Sequence, residues 1–428
     1  MARPRVLILA EDCNPQWPSL PIVGYNYARA LGRAADITLV THVRNRDNIE
    51  AAGDMTGPVS YIDTEWLAAP MYKLARALRG GDQVAWSTSQ MMAYLPYLAF
   101  EHQTLRRFRP RLAGGEFDLV HRITPMSPTL PSPMAGRTRQ PFVIGPLNGN
   151  LDWPAAYAGE QRREKERLRA LRGAYRLLPY ARRTWRRAAC VLAAFQHTID
   201  DLTAVDPARI VSFPEIGIDP AIFHAKGRRP AFSGPGPFRF LYAGRLVPYK
   251  LPEAAIRAFA TAPALAGHRL SIIGDGPERP RLEAMVAEAG AADRIVFEGR
   301  KSQAEVAGAM READAFVFPS IRELGAGVVI EAMACGMVCL VADYGAPGAL
   351  VAEGRGIAVP LAPLEDLIVD LRAAMERCVT DPAPLAGMVA RAQAHAARFD
   401  WDEKARYTAQ IYEAVLAGRP LGDFAAYA

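Results

Sequence analysis

The run Val6-Leu7-Ile8-Leu9-Ala10 leads into a loop punctuated by Pro15, Pro18 and Pro21, a helical stretch from Tyr25 to Arg33, and a second apolar run, Ile37-Thr38-Leu39-Val40. A strand covered on both faces carries apolar residues without alternation, so the first run reads as a buried strand and the whole as a β-α-β unit. Such units build parallel sheets. Working outward, further strands fit at Leu119-Val120, Phe142-Val143-Ile144, Cys190-Val191-Leu192 and Ile210-Val211. The stretch His224 to Pro230, followed by Ser233-Gly234-Pro235-Gly236-Pro237, is dense in glycine and proline and reads as a linker.

Beyond the linker a second alternation begins. Strand Phe238–Tyr242, helix Pro252–Ala260, strand Leu270–Ile273, helix Pro280–Ala289 and strand Ile295–Phe297 follow in turn, then strands Ala315–Phe318 and Val338–Val341, each after a helix. The expected fold is α/β, with two doubly wound, Rossmann-like domains over residues 1–228 and 238–402. Ligands of open parallel sheets sit beyond the carboxyl ends of the strands, so two such domains facing each other would hold the site in the cleft.

Composition narrows the class. Of 428 residues half are hydrophobic and 22% charged, which excludes wholesale disorder. Five cysteines without a C-x-x-C pair form neither a disulfide framework nor a zinc site, and point to a reducing cytoplasm. The first apolar run is too short for a signal peptide, and Gln83–Phe100 is interrupted by Ser87, Thr88, Ser89, Gln90 and Pro96, which excludes it as a membrane span. The net charge of +6 leaves nucleic acid, anionic lipid and phosphorylated substrates open, yet no nucleic-acid reading motif is present. Arginine supplies 45 of the 51 basic residues, for which codon bias is the plainest account.

Three segments carry chemistry. In Phe318-Pro319-Ser320-Ile321-Arg322-Glu323-Leu324-Gly325-Ala326-Gly327, continuing through Glu331 to Gly336, a strand ends, a small-residue loop follows, and a helix starts near Gly327 with free N–H groups that suit an anion. On one helix Glu323 and Glu331 would stand about 12 Å apart, too far to share acid–base work. With Glu323 in the loop they can grip opposite ends of an elongated, hydroxyl-bearing ligand. The bland reading is one acid favouring the helix dipole and one ordinary exposed glutamate. In Tyr242-Ala243-Gly244-Arg245-Leu246-Val247-Pro248-Tyr249-Lys250, two cations follow a strand and can stabilise a diphosphate leaving group where other enzymes use a metal; alone, they would read as surface charges. In Asp118-Leu119-Val120-His121, the histidine stands at an expected strand end, open to a structural or a catalytic reading. Asp400-Trp401-Asp402 has the spacing of a metal site, but with Glu403 it reads as a helix cap. Gly274-Asp275-Gly276 lacks a full dinucleotide fingerprint.

With these segments in hand, the chain resembles a retaining glycosyltransferase of family 4 on the two-domain GT-B fold. The likeness rests on G-R-L-x-x-x-K at Gly244–Lys250, I-G-D-G-P at Ile273–Pro277, the E-x7-E pair and E-A-M-A-C-G at Glu331–Gly336. In the first half it rests on the β-α-β opening, His121 and Gly145-Pro146-Leu147-Asn148-Gly149. The resemblance implies a nucleoside-diphosphate sugar donor, a sugar, lipid-linked or small-molecule acceptor, and no metal or other cofactor. It assigns Arg245 and Lys250 to the diphosphate, Glu331 to the ribose, and Glu323 with the backbone of Gly325, Ala326 and Gly327 to the transferred sugar. It gives His121 a contact to that sugar and sends the last helix, within residues 403–428, back to the first domain. The paired glycines usual after the first strand become Pro18-Ser19, and Ala326 replaces a usual glycine. A nucleotide-sugar epimerase, a phosphorylase, or a two-lobed binding protein are the rival readings.

The segment Glu160–Arg187 holds eleven basic residues against three acids, with Tyr175, Tyr180 and Trp185 among them. It reads either as a cytosolic helix packed on its own sheet or as a basic amphipathic helix docking on an anionic membrane. The expected location is cytoplasmic, with a peripheral position at the inner membrane face as the second reading, and Gln83–Phe100 as the alternative contact.

Overall fold

The computed structural model describes residues 3–79, 86–163, 176–228, 232, 236–424 and 427. Two compact units emerge. The first takes Met1–Asn150, Lys165–Glu215 and Trp401–Ala428, and the second takes Leu151–Glu164 and Ile216–Asp400. The second unit thus starts ahead of the glycine/proline stretch, and it also takes a short segment that the sequence reading places in the first.

The first unit is built on seven parallel strands: β1 (Arg5–Ala10), β2 (Asp36–His42), β3 (Val59–Ile62), β4 (Leu119–Thr124), β5 (Phe142–Leu147), β6 (Ala188–Ala193) and β7 (Ile210–Ser212). Their order is β3-β2-β1-β4-β5-β6-β7, so the order reverses between β1 and β4. β4 and β5 are buried along their whole length and β1 from Val6 onward, which is why the chain spells them in continuous apolar runs. On one face Leu7, Leu9, Val120 and Ile144 meet Phe100 and Phe108 from helix Trp86–Ala113. Each fully buried side chain of that size contributes about 1.5–3 kcal/mol.

Helix Leu20–Ala34 receives the last helix, Trp401–Leu416. Tyr27 and Thr408 share a 2.6 Å hydroxyl contact, and Arg33 pairs with Asp402. Lys404 is fully buried; its Nζ donates to the Pro214 carbonyl at 2.7 Å and lies 3.7 Å from the Phe213 ring centre. Asp402, one half of the D-x-D spacing, is therefore committed to an arginine.

Of the basic segment, residues 164–175 lie outside the described residues. Around it, Trp185 belongs to the core, and Tyr180 is held by the guanidinium groups of Arg137 at 4.9 Å and Arg183 at 5.0 Å. These two rings pack within the first unit, as the first of the two sequence readings expects of the segment's apolar face. Tyr97 and Phe100 are likewise buried. Among the described residues no helix is long and apolar enough to cross a membrane.

The second unit repeats the plan with six parallel strands: β8 (Arg239–Ala243), β9 (Arg269–Ile273), β10 (Ile295–Gly299), β11 (Ala315–Phe318), β12 (Val338–Ala342) and β13 (Ile357–Val359). The order β10-β9-β8-β11-β12-β13 reverses between β8 and β11. The expected strands and helices of this half recur within a residue or two. The sequence reading omits β3 and β13, strands of four and three residues at the edge of their sheets, too short to show a periodicity.

The loops after β8 and β9 are laced together. Gly244 N–H donates to the Ile273 carbonyl at 3.0 Å, Leu246 N–H to Asp275 at 3.0 Å, and Glu278 N–H to Leu246 at 3.2 Å. Gly274 adopts φ +133°, and a β-carbon there would lie 1.9 Å from the Gly244 carbonyl oxygen. The glycines of Ile273–Pro277 therefore serve close backbone approach. Gly274→Ala should destabilise the chain by about 2 kcal/mol or more, since both the conformation and the space exclude a side chain. Urea unfolding checks this, and a change below 0.5 kcal/mol (on the order of an ordinary surface substitution) would contradict the packing.

Candidate functional site

The reversal of strand order lays the ends of β8 and β11 side by side, and a crevice at such a switch point is where doubly wound sheets bind ligands. After β8 come Gly244 and the exposed Arg245, then a tight turn Pro248–Lys250 closed by Leu251 in the left-handed region at φ 43°. After β11 come Ser320 and Glu323, then helix Gly327–Ala334. Ile321 N–H donates to the Tyr249 carbonyl at 3.0 Å and ties the two loops.

This geometry joins residues that are distant in sequence. Lys250 Nζ pairs with Glu323 Oε1, each side chain 15% exposed. The Ser320 hydroxyl lies 3.1 Å from the same carboxylate oxygen. The ammonium sits 4.9 Å from the centre of the Phe318 ring and 5.7 Å from that of Tyr249, a cation over two aromatic faces. Burial works against the Lys250 charge, but the adjoining Glu323 outweighs it and holds the ammonium above its ordinary range. A fixed cation and a hydroxyl-accepting carboxylate thus stand together at one strand end.

Gly325 and Ala326 are buried beside them. Ala326 occupies φ 54°, ψ 44°, the left-handed conformation that glycine adopts freely and that costs another residue about 1–2 kcal/mol. Ala326 has no side-chain group to cap the helix that follows, and Val329 N–H donates to the Ala326 carbonyl at 2.9 Å, so among the described residues Gly327 and Val328 N–H are the ones left for a ligand or solvent. Glu331, one turn inside that helix, is half-buried, and burial pushes its carboxyl up to about 7.

His121 requires a correction. β4 runs on to Thr124, so this histidine lies within the strand, paired with Ile8 and Val143, and has no exposed surface. Its Nε2–H donates to the Gly145 carbonyl at 2.7 Å, which leaves Nδ1 to accept from the Tyr412 hydroxyl at 2.6 Å. Burial lowers the imidazole to about 4, so it is neutral. Both nitrogens are committed inside the first unit, and the sugar contact implied by the resemblance is not available to them.

Other residues at the strand ends carry no sequence signal. Trp153 meets Tyr249 edge-on at 6.4 Å and lies 5.2 Å from the Arg322 guanidinium, backing both site loops from a segment far away in sequence. In the first unit, Glu11 and Asp12 follow β1; burial, and then the Asp12 charge, push Glu11 up to about 8. Among the described residues no three His, Cys, Asp or Glu side chains are grouped to hold a metal ion.

Residues 226–378 match the family described as Glycosyl transferases group 1. A D-inositol 3-phosphate glycosyltransferase from Stackebrandtia nassauensis is 32% identical over 219 residues, 48% of this chain and 48% of that protein. The chain thus spans about half the length of the curated relative it matches. Among solved structures, sucrose-phosphate synthase from Thermosynechococcus elongatus superposes with a TM-score of 0.64 at 19% identity, covering 97% of this chain and 100% of that one. Anabaena Alr3699/HepE in complex with UDP does so with a TM-score of 0.61 at 17% identity, over 96% and 100%. The fold is GT-B.

The Glu331 carboxyl gives a direct test of the site's electrostatics. A carbon-detected NMR titration should find it changing charge near pH 7, and Glu331→Gln should remove that transition. The unfolded chain, with an ordinary glutamate at about 4.3, loses this proton first. Stability relative to the Gln variant should therefore fall as pH rises from about 4.3 to 7. A midpoint below 5 would contradict the burial of this group.

Proposed function

We propose that this chain, whose residues 226–378 belong to the Glycosyl transferases group 1 family, moves a sugar from a nucleoside-diphosphate sugar to an acceptor hydroxyl with retention of anomeric configuration. The observation that carries this reading is the Lys250–Glu323 pair at the switch point of the second sheet. Lys250 and Arg245 take the diphosphate and stabilise the charge that grows on it as the bond to sugar breaks, the work a divalent metal does elsewhere. Glu323 accepts hydroxyls of the transferred sugar, with the N–H groups of Gly325 to Gly327 beside it. Glu331 accepts ribose hydroxyls, and its ionised form does so best. The name of the inositol phosphate relative supports glycosyl transfer, and the UDP bound to the Anabaena protein supports a nucleoside-diphosphate donor. The first unit takes the acceptor. Attack and departure occur on one face of the sugar, and a donor phosphate oxygen receives the acceptor proton.

Glu323→Ala should lower kcat/KM for transfer by about a hundredfold or more if the carboxylate acts in the transition state, and a loss under threefold in a folded variant would make it a bystander. In the same assay Lys250→Ala should weaken free nucleoside diphosphate and sugar donor alike. Unchanged nucleoside-diphosphate affinity would remove the lysine from the diphosphate site.

The proposal extends to a cytoplasmic location with peripheral docking on an anionic membrane. Arg182, Arg186 and Arg187 are exposed, and Leu177 is 88% exposed next to them, so a charged and an apolar contact adjoin. Each basic residue near such a surface adds about 1 kcal/mol. Flotation with phosphatidylserine vesicles should show binding at low salt that charge reversal at these arginines abolishes. No flotation at low salt would remove the membrane from the proposal.

A further inference from the structure

Tyr242, next to last in β8, has no exposed surface. Its hydroxyl has no hydrogen-bond partner among the described residues. A buried phenol nearly always finds a partner, because leaving one without forfeits its hydration for nothing in return. The position of the oxygen accounts for the exception. A β-carbon built on Gly244 would lie 3.6 Å from the Tyr242 hydroxyl, 3.5 Å from Lys250 Cδ and 3.5 Å from Phe318 Cε2. The hydroxyl, the lysine stem and the edge of the Phe318 ring therefore converge on one small volume at the head of β8. The rings of Tyr242 and Phe318 are 6.2 Å apart, and the same Phe318 ring lies under the Lys250 ammonium. Burial, and next the charge of Glu323, raise the phenol well above its ordinary range, so the hydroxyl keeps its proton and stands within the field of that carboxylate.

As it stands, Lys250 satisfies Glu323 directly and Ser320 lies 3.1 Å from the same oxygen. A diphosphate competes for that ammonium. A carboxylate has about four lone-pair sites, so one that loses a cation can accept another donor in its place. We propose that Tyr242 is a positioning residue for Glu323: when a donor's diphosphate draws Lys250 away, the tyrosine hydroxyl donates the hydrogen bond that the carboxylate loses and keeps it turned toward the transferred sugar. This rests on the donor-site reading above and adds a residue to it.

The test is Tyr242→Phe in the full chain, with binding measured by calorimetry for UDP or GDP, whichever the unaltered chain binds, and for its glucose or mannose ester. A hydrogen bond to a charged group is worth about tenfold or more. Affinity for the sugar ester and kcat/KM should therefore fall about tenfold, while free nucleoside diphosphate, whose complex leaves the sugar site open for water to give Glu323 the lost donor, binds within twofold of the unaltered chain (well inside the effect of that hydrogen bond). The unfolding midpoint should be equal or higher, because the substitution removes a buried hydroxyl that has no hydrogen-bond partner among the described residues. Equal loss for both ligands, no loss for either, or a lowered midpoint overturns the proposal. Lys250→Ala separates the two readings. If it weakens nucleoside diphosphate while Tyr242→Phe changes nothing, Tyr242 alone is excluded. If Lys250→Ala also changes nothing, or the unaltered chain binds neither nucleotide, the donor-site reading fails and the proposal with it.

Discussion

The ion pair between Lys250 and Glu323 is the contact on which the second unit's site depends. Two opposite charges, each largely withdrawn from water, are tolerated only when each supplies the other's partner and further groups take up the remaining valences. Ser320 and the Phe318 ring do that here. The pair exists because β8 and β11 are neighbours, although many residues separate them in the chain. Its placement is then made rigid by backbone contacts: Ile321 holds Tyr249, Gly244 holds Ile273, and Gly274 lets the third loop close against Gly244. Three loops at three strand ends thus act as one platform, and the polar side chains stand on it at fixed positions.

The first unit treats the corresponding strand differently. β4 continues past the expected end, and the two polar residues that follow Val120 turn into the fold. His121 fastens β4 to Gly145 and to Tyr412 of the last helix. Arg122, fully buried, donates to the Tyr97 hydroxyl at 3.0 Å and to the Leu130 carbonyl at 2.5 Å. Glu101, also buried, accepts from Ser132 at 2.6 Å and from Met134 N–H at 3.0 Å. Buried polar groups of this kind hold the surrounding elements to one arrangement where they are paired, although Nε and Nη2 of Arg122 have no hydrogen-bond partner among the described residues. The His121–Tyr412 contact, together with Lys404 under the Phe213 and Tyr427 rings, ties the terminal helix to this unit.

Two of the seven described non-glycine residues with positive φ stand where the site's loops turn. Ala326 and Leu251 both adopt left-handed backbone conformations without being glycine, one at the head of the site helix and one directly after Lys250. Such residues persist where surrounding structure over-determines them. Leu251 is buried and its N–H is held by Pro248, so the turn that presents the lysine is set from outside it.

The sequence by itself determined the class of fold, the order of its elements and the stretches that form the site. Those features depend on local pattern: Val6–Ala10 and Ala315–Phe318 are apolar throughout because both faces of their sheets are covered, and Pro252 and Gly327 mark helix starts by backbone preference. Short edge strands such as Val59–Ile62 escaped, because a half-covered strand of four residues has no periodicity to read. Tertiary structure alone decided which polar residues gather at the switch point and which turn into the core. His121 and Lys250 look alike in sequence, each a basic residue beyond an apolar run. Continued pairing of β4 through Thr124 buries the first, while adjacency of β8 to β11 gives the second a carboxylate. Strand length and strand neighbours follow from contacts between distant segments, and no local pattern of residues encodes them.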